Sequence, residues 1–321
     1  MHAQAVLSPM QRLLGSAIFA LTVAACAQAA NAEEQLAWKF NSGDKIGYEL
    51  NMEMQMADGD RTIKIVHQIW MTLAVGDVAE NGTASLTQSV DRMAIEITPP
   101  ADANPPGPRK FDSKDGTKSE VDKSDPVFAM LPALANAMIG QPVSMKVSPQ
   151  GAVSDVKIPT AMITALKKSP AAPMSELFTP EGIKQTASRV ITPLPAGEVS
   201  DGKTWDVTIE LAAPNVGKQV TKTEYKFSGT EDKDGQKVAK IDVQTSVKFP
   251  SAPGSDLKID VKTQESEGAV YFDIAAGRVV SSTLTDKMGL SVELGGTKRE
   301  QVVTSIVKLK QIEPTAADRE L

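Results

Sequence analysis

The feature that most constrains the fold is a long run of alternating apolar and polar residues from Lys203 to Gln311. Successive side chains of a β-strand point to opposite faces, so a half-buried strand carries apolar residues at every second position. Segments with this alternation cover residues 205–211, 221–227, 239–249, 257–261, 270–274 and 303–309. The connections between them are short, which predicts antiparallel neighbours in one sheet.

A second set of strands is predicted near the N-terminus. The first starts near Ile46 and runs to Met56, and the second covers residues 63–75. A third extends from Thr83 to Ile97, and its alternation slips near Asp91, as a β-bulge would cause. These three strands form another meander.

Helix signals lie between the two sets of strands. Ser124-Asp125-Pro126, Pro159-Thr160 and Thr179-Pro180-Glu181 each resemble a helix start, and residues 141–158 resemble a hairpin. A sheet with one apolar face must cover that face, and a twisted sheet of many strands curls. The sequence therefore predicts an α+β fold, mainly antiparallel β: a strongly curved sheet or incomplete barrel whose apolar concave face is covered by a few mid-chain helices.

The same signals divide the chain into segments. We expect a signal peptide over residues 1–32, or 1–25 if the chain is a lipoprotein, and a disordered tail over 313–321. The predicted segments between them are an N-terminal β-meander (33–98), a flexible loop (99–125), a region of helices and a hairpin (126–192) and a C-terminal β-meander (193–312).

The first residues have the layout of a secretory signal. Arg12 precedes the apolar run from Leu13 to Ala25, which is too short for a spanning helix. Val23-Ala24-Ala25-Cys26 resembles a bacterial lipobox with Cys26 as the lipidated residue, whereas Ala30-Asn31-Ala32 fits an ordinary cleavage site; both alternatives remain open. The sequence predicts an exported protein that is periplasmic, attached to the outer membrane, or extracellular. Such a protein would meet a membrane only through the lipid anchor.

Charge and cysteine content exclude several classes of partner and site. The net charge is −6, which provides no basic footprint for nucleic acid. The single cysteine, Cys26, lies in the leader, so the rest of the chain has no disulfide or thiolate metal site. Gly197 to Thr204 matches the phosphate-binding pattern Gly-x4-Gly-Lys-Thr, but the residues after it predict a strand and not the helix that this pattern requires.

No catalytic signature is present. The sequence has no Gly-x-Ser-x-Gly and no His-Glu-x-x-His. Most carboxylates lie on the polar, solvent-facing sides of the predicted strands or in turns such as Asp232 to Asp234, where they are solvated charges. We therefore expect no enzyme activity and no cofactor.

A methionine-rich strand face provides the candidate ligand site. Met52, Met54 and Met56 project from one face, and His67, the only histidine after the leader, lies between Ile65 and Ile69 on an apolar face. Methionines of this kind form cores, line apolar cavities or bind Cu(I); we predict no metal site, because a lone histidine has no partner ligand. The candidate cavity residues are Met52, Met54, Met56, His67, Met71, Phe227 and Phe249.

Four short segments carry a family resemblance. The leader, Trp38 to Tyr48, the hairpin from Gly140 to Val153 and the stretch from Leu194 to Trp205 together resemble an uncharacterised family of exported bacterial proteins, a domain of unknown function. The resemblance implies export and a sheet-rich fold, and it supplies no catalytic residue. At the level of the fold, curved sheets over interior helices are also similar to periplasmic lipoprotein carriers of the LolA kind.

The sequence favours one function and leaves an alternative. The large one-faced sheet and its methionine-rich face predict a non-enzymatic envelope protein that binds an apolar or amphipathic small molecule, such as a lipid or acyl chain. The alternative is a structural or protein-interaction module of the envelope with a fully packed interior. The two differ in whether the concave face is open.

Overall fold

The computed structural model describes residues 33–104, 106–118, 126–168, 178–187, 189–213, 217–233, 235–250 and 257–314. The predicted signal peptide with Cys26, and the tail from residue 315, lie outside these ranges. Within them, no helix is long and apolar enough to cross a membrane.

Most of the described chain is β-strand, and every pair of named strands is antiparallel. The strands are β1 (Glu34–Gln35), β2 (Lys45–Asp58), β3 (Arg61–Val78), β4 (Ala84–Thr98), β5 (Arg109–Asp112), β6 (Val143–Val147), β7 (Val153–Lys157), β8 (Glu198–Val199), β9 (Thr204–Ala213), β10 (Gly217–Lys233), β11 (Gln236–Lys248), β12 (Leu257–Asp273), β13 (Arg278–Leu294) and β14 (Thr297–Ile312).

Twelve of these strands form one sheet. Its order is β7-β6-β4-β3-β2-β14-β13-β12-β11-β10-β9, with β5 paired to β4, while β1 and β8 form a separate pair. Strand β2 pairs with β14 along most of its length, which joins the two predicted meanders edge to edge. The predicted mainly antiparallel, open and curved α+β fold is confirmed.

The helices begin where the sequence signals lie. They are α1 (Pro126–Met138), α2 (Thr160–Lys167) and α3 (Pro180–Ala187). Gly140 follows α1 with a φ of 68°, a conformation that ends helices and favours glycine. At α3 the Thr179 hydroxyl accepts a hydrogen bond from the Gly182 amide at 3.1 Å, which satisfies one of the free N–H groups of the first turn.

The segment predicted to be a flexible loop contains regular structure. Strand β5 pairs with β4 from Arg109 to Asp112, and a 3-10 helix follows over Ser113–Lys118. The Phe111 side chain is buried in the core, which accounts for the ordering of so short a strand.

A bulge lies where the sequence alternation of β4 slips. The register between β3 and β4 shifts at Asp91, whose side chain is buried. The Asp91 carboxylate accepts hydrogen bonds from the Thr72 hydroxyl at 2.7 Å and the Ser89 hydroxyl at 3.3 Å. These bonds satisfy the buried carboxyl group, and the inserted residue keeps the apolar residues on both sides of it on one face.

One face of the sheet carries the hydrophobic core, and we call it the inner face. Tyr48, Leu50 and Leu73 are fully buried there, and the Tyr48 hydroxyl donates a hydrogen bond to the Val279 carbonyl at 3.1 Å. The helices pack over one end of this face, because α1 contacts α2 and β4 while α3 contacts β7. The helices therefore cover one end of the inner face and leave the other ends of the central strands less covered.

Two tryptophans fix the chain after α3 to the two halves of the sheet. The Trp38 indole donates to the Thr192 carbonyl at 2.9 Å, and the Trp205 indole donates to the adjacent Pro193 carbonyl at 3.0 Å. Trp38 also stacks on Phe40, with ring centroids 5.9 Å apart. One short segment thus holds the first residues of both meanders.

Candidate functional site

The inner face continues beyond the packed core as an apolar surface that stays half-buried. Residues directly opposite each other in an antiparallel pair lie on the same face, so the register places one side chain from each neighbouring strand in a row. The half-buried apolar residues of these rows, which we call the open strip, are Met52, Met54 and Met56 of β2, Ile63 and Ile65 of β3, Ile95 and Ile97 of β4, and Val303 and Val307 of β14.

The open strip is wide enough to hold several methylene groups. The distance along β2 from Met52 to Met56 is roughly 13 Å, and the four strands span roughly 15 Å across. Towards the helices the strip passes into the fully buried residues Leu50 and Met93. It is therefore an exposed continuation of the core and has one closed end and one open end.

His67 lies inside the open strip. It is directly opposite Met52 on β2 and Ile95 on β4. Its Nε2 atom is buried without a hydrogen-bond partner among the described residues, and burial lowers the pKa of the imidazole. The ring is therefore neutral at pH 7 and adds no charge to the apolar surface.

Arg189 brings a cation into contact with one methionine of β2. It follows α3, and its Nη1 lies 3.3 Å from the Met52 sulfur. Desolvation by the surrounding protein lowers the pKa of Arg189, yet the residue keeps a large exposed fraction and stays protonated at neutral pH. Its side chain thus reaches solvent at the closed end of the open strip.

The remaining predicted cavity residues lie elsewhere on the inner face. Met71 and Phe227 are buried in the core, where they fill space and are not available to a ligand. Phe249 follows β11, on the far side of the sheet from β2. The structure therefore brings together Met52, Met54, Met56 and His67.

A polar seam limits the open strip on the side of β13. The Thr245 hydroxyl donates to the Asp286 carboxylate at 2.6 Å and lies 3.0 Å from the Ser266 hydroxyl. Asp286 is directly opposite Ser305 on β14, in the row that continues to Met54 on β2. Apolar ligand surface placed across this seam would desolvate these groups, so the strip favours ligands that lie along β2, β3 and β4.

A polar pocket of about 900 Å³ lies near β5, and its lining combines outer-face residues such as Gln68 and Glu96 with Ile95 of the open strip. Glu96 and Lys110 form an ion pair across it at 3.1 Å. Although partial burial opposes the effect, the hydrogen bonds and charge of Arg92 hold the pKa of Asp112 below its ordinary value. The predicted cavity residues are not among those that line this pocket.

The segment that matches the phosphate-loop pattern contains the short strand β8 followed by a turn at residues 201–202. Strand β9 begins at Thr204, so no helix N-terminus faces the loop. Instead, the Gly202 amide donates a hydrogen bond to the Phe227 carbonyl and the Phe227 amide donates one to the Lys203 carbonyl, each at 2.9 Å. The match has none of the geometry that binds phosphate.

The sequence pattern of one protein family, described as "Family of unknown function (DUF6263)", matches residues 109–277. The matched range begins at β5 and ends after β12, so the methionine strand β2 lies outside it. No protein with a curated description matches the chain.

Three solved structures that resemble the chain do so at low sequence identity. A structure of lipovitellin, described for its lipid–protein interactions, is 13% identical with a TM-score of 0.46, covering 88% of this chain and 26% of that chain. DynF of the dynemicin biosynthesis pathway of Micromonospora chersina is 7% identical with a TM-score of 0.21, covering 88% and 86%. A DUF1329 family protein from Desulfovibrio piger is 12% identical with a TM-score of 0.13, covering 86% and 87%. Scores this low carry no information about ligands of this chain.

Proposed function

Because this chain belongs to the DUF6263 family, whose function is unknown, we propose from its own geometry that it is a non-enzymatic cell-envelope protein that binds an apolar or amphipathic ligand. The ligand is a lipid or acyl chain, and its site is the open strip. The observation that carries the proposal is the half-buried apolar surface that extends from the core through Met52, Met54 and Met56.

The energetics support an apolar ligand. Each methylene group that leaves water contributes roughly 0.8 kcal/mol, so a chain laid along the strip gains several kcal/mol before the cost of its immobilisation. Methionine side chains are flexible and polarizable, which suits them to acyl chains of different lengths. The alternative function, a fully packed module, would instead bury these residues in the core, whereas they are only partly buried.

The surroundings of Met52 disfavour the other ligand that methionines suggest. A Cu(I) ion bound to the Met52 sulfur would face the Arg189 guanidinium, whose Nη1 is 3.3 Å from that sulfur. Two positive charges this close repel each other strongly in a partly desolvated site. The arrangement therefore supports an apolar contact at Met52.

The place of the protein in the envelope is supported by the leader sequence. The apolar run from Leu13 to Ala25 after Arg12 is typical of an export signal. Exported acyl-binding proteins need a surface that shields a chain from water, and the inner face of this sheet provides one. Fractionation of cells that express the tagged protein tests this part of the proposal.

The proposal predicts that a charge on the open strip abolishes ligand binding. We expect Met54→Glu to lower the affinity for a fluorescent fatty acid by at least about tenfold, because a bound acyl chain would desolvate the new carboxylate. The matched control is Gln55→Glu, which places the same side chain one residue away on the outer face. It should change affinity by less than about twofold. Equal effects of the two variants would refute a site on the inner face.

A further inference from the structure

We propose that the ligand of the open strip is a single-chain amphiphile with an anionic head, and that Arg189 binds that head. This inference rests on the proposed function and specifies the chemistry of its ligand. The acyl chain lies over Met54 and Met56, and its carboxylate or phosphate group lies beside the guanidinium at the Met52 end of the strip.

Within the described part of the chain, Arg189 is a charged group beside an apolar surface and has no acidic partner. Its Nη1 donates to the Met52 sulfur, a weak acceptor, at 3.3 Å. Among the described residues, no carboxylate lies within ion-pair distance of its guanidinium. Apart from the N–H group that Nη1 directs at the Met52 sulfur, the guanidinium N–H groups have no acceptor among the described residues and can bind an oxyanion in two-point geometry.

The other arginines near the strip differ in this respect. Arg61 pairs with Asp102 at 3.4 Å, and Arg299 pairs with Asp58 at 3.5 Å. Both lie near the β2–β3 turn, at the open end of the strip. An anionic head placed there would compete with a carboxylate that is already bound, so the unpaired charge at the closed end is the better site.

The environment of Arg189 strengthens such an interaction. Protein on several sides desolvates the guanidinium, which also lowers its pKa, while its exposed fraction leaves room for a ligand oxygen. A charge-assisted hydrogen bond is stronger where water is partly excluded. His67, opposite Met52, adds no negative charge that would repel an anionic head.

The geometry also fixes the direction of the chain. Fully buried Leu50 closes the strip on one side of Met52, and the half-buried Met54 and Met56 extend on the other. A head bound at Arg189 therefore directs the chain along β2 towards the turn that follows Asp58. Along that path the chain contacts Ile63 and Ile65 of the neighbouring strand.

The test compares three probes that share one chain: dodecanoate, dodecyl phosphate and dodecanol. Calorimetry or fluorescence displacement on the full chain measures their affinities for the wild type, Arg189→Gln, Arg189→Lys and the control Arg61→Gln. We expect Arg189→Gln to weaken binding of the two anions by about ten- to a hundredfold and to leave dodecanol within about twofold. Arg189→Lys should restore part of the loss, and Arg61→Gln should have no effect on any probe.

The outcomes separate this inference from the proposed function. If the wild type binds dodecanol as tightly as the anions, or if Arg189→Gln weakens all three probes equally, Arg189 does not bind the head and the inference fails alone. If the wild type binds none of the probes, the proposed function fails as well. A preference for dodecyl phosphate over dodecanoate that disappears in Arg189→Gln would identify a phosphate-bearing lipid; the reverse preference would identify a fatty acid.

Discussion

At the scale of single residues, His67 is the feature with the clearest consequence for stability. Its Nε2 is buried without a partner within the described structure, between Met52 and Ile95 of the neighbouring strands. A buried polar atom that lacks a hydrogen bond costs about 1–3 kcal/mol. Because its neighbours are apolar, an apolar side chain of similar size should fit at position 67.

We predict that His67→Met stabilises the fold at pH 7.5 by about 1 kcal/mol, because it removes the unsatisfied nitrogen and adds an adaptable side chain. Burial lowers the pKa of His67 in the folded state, so below its ordinary value of 6.5 the unfolded chain binds the proton more readily. The wild type is therefore most stable above about pH 6.5, where His67 is neutral in both the folded and the unfolded chain. Its free energy of unfolding falls as the pH drops from there towards the pKa of the folded state. Urea unfolding at several pH values measures this: the gap between variant and wild type should widen from about pH 7.5 to about pH 5, and parallel curves would contradict the account.

At the scale of elements, the contact of the β6–β7 hairpin with Trp38 decides how the first meander is fixed. Gly151, in the hairpin turn, has a φ of 77°, and a Cβ added there would lie 2.7 Å from the Thr192 carbonyl oxygen and 3.2 Å from the Trp38 Nε1. That carbonyl and that nitrogen form a buried hydrogen bond of 2.9 Å. The glycine is therefore required by its conformation and by this close approach.

We expect Gly151→Ala to destabilise the protein by about 3 kcal/mol, the sum of a left-handed backbone cost and a disturbed buried hydrogen bond. Gly202→Ala is the control, because Gly202 has a φ of 85° with nothing within 4 Å of its Cβ position. It should cost only about 1 kcal/mol. Denaturant unfolding followed by tryptophan fluorescence measures both, and equal losses would show that the Trp38 contact does not matter.

The elements also show what sequence reasoning can reach. Alternation predicted the strands and even the bulge at Asp91, because side-chain parity along a strand survives folding. Alternation could not predict how deeply each inner-face side chain is buried. Met71 and Phe227 share the inner face with Met54 but lie in the packed core. Strand β5 escaped detection because its four residues include one apolar side chain, Phe111. Arg189 gave no signal, since its contact with Met52 joins residues 137 positions apart.

At the scale of the whole molecule, the pairing of β2 with β14 makes one continuous sheet of two meanders. This junction places the methionine strand in the middle of the sheet and beyond the helices that cover its other end. A face with a packed half and an open half is the physical basis of the proposed ligand site. The first meander provides most of the open strip, and β14 of the second meander adds Val303 and Val307 along its edge.

The most direct test of this account is native mass spectrometry of the protein purified from the cells that produce it, without a detergent step that strips lipids. The account predicts protein with a mass increment that matches a single acyl-chain lipid. It further predicts that the increment disappears on delipidation, returns on incubation with dodecanoate, and does not return for Met54→Glu. A chain that is always bare and takes up neither dodecanoate nor dodecanol would contradict the central claim that the open strip is a ligand site.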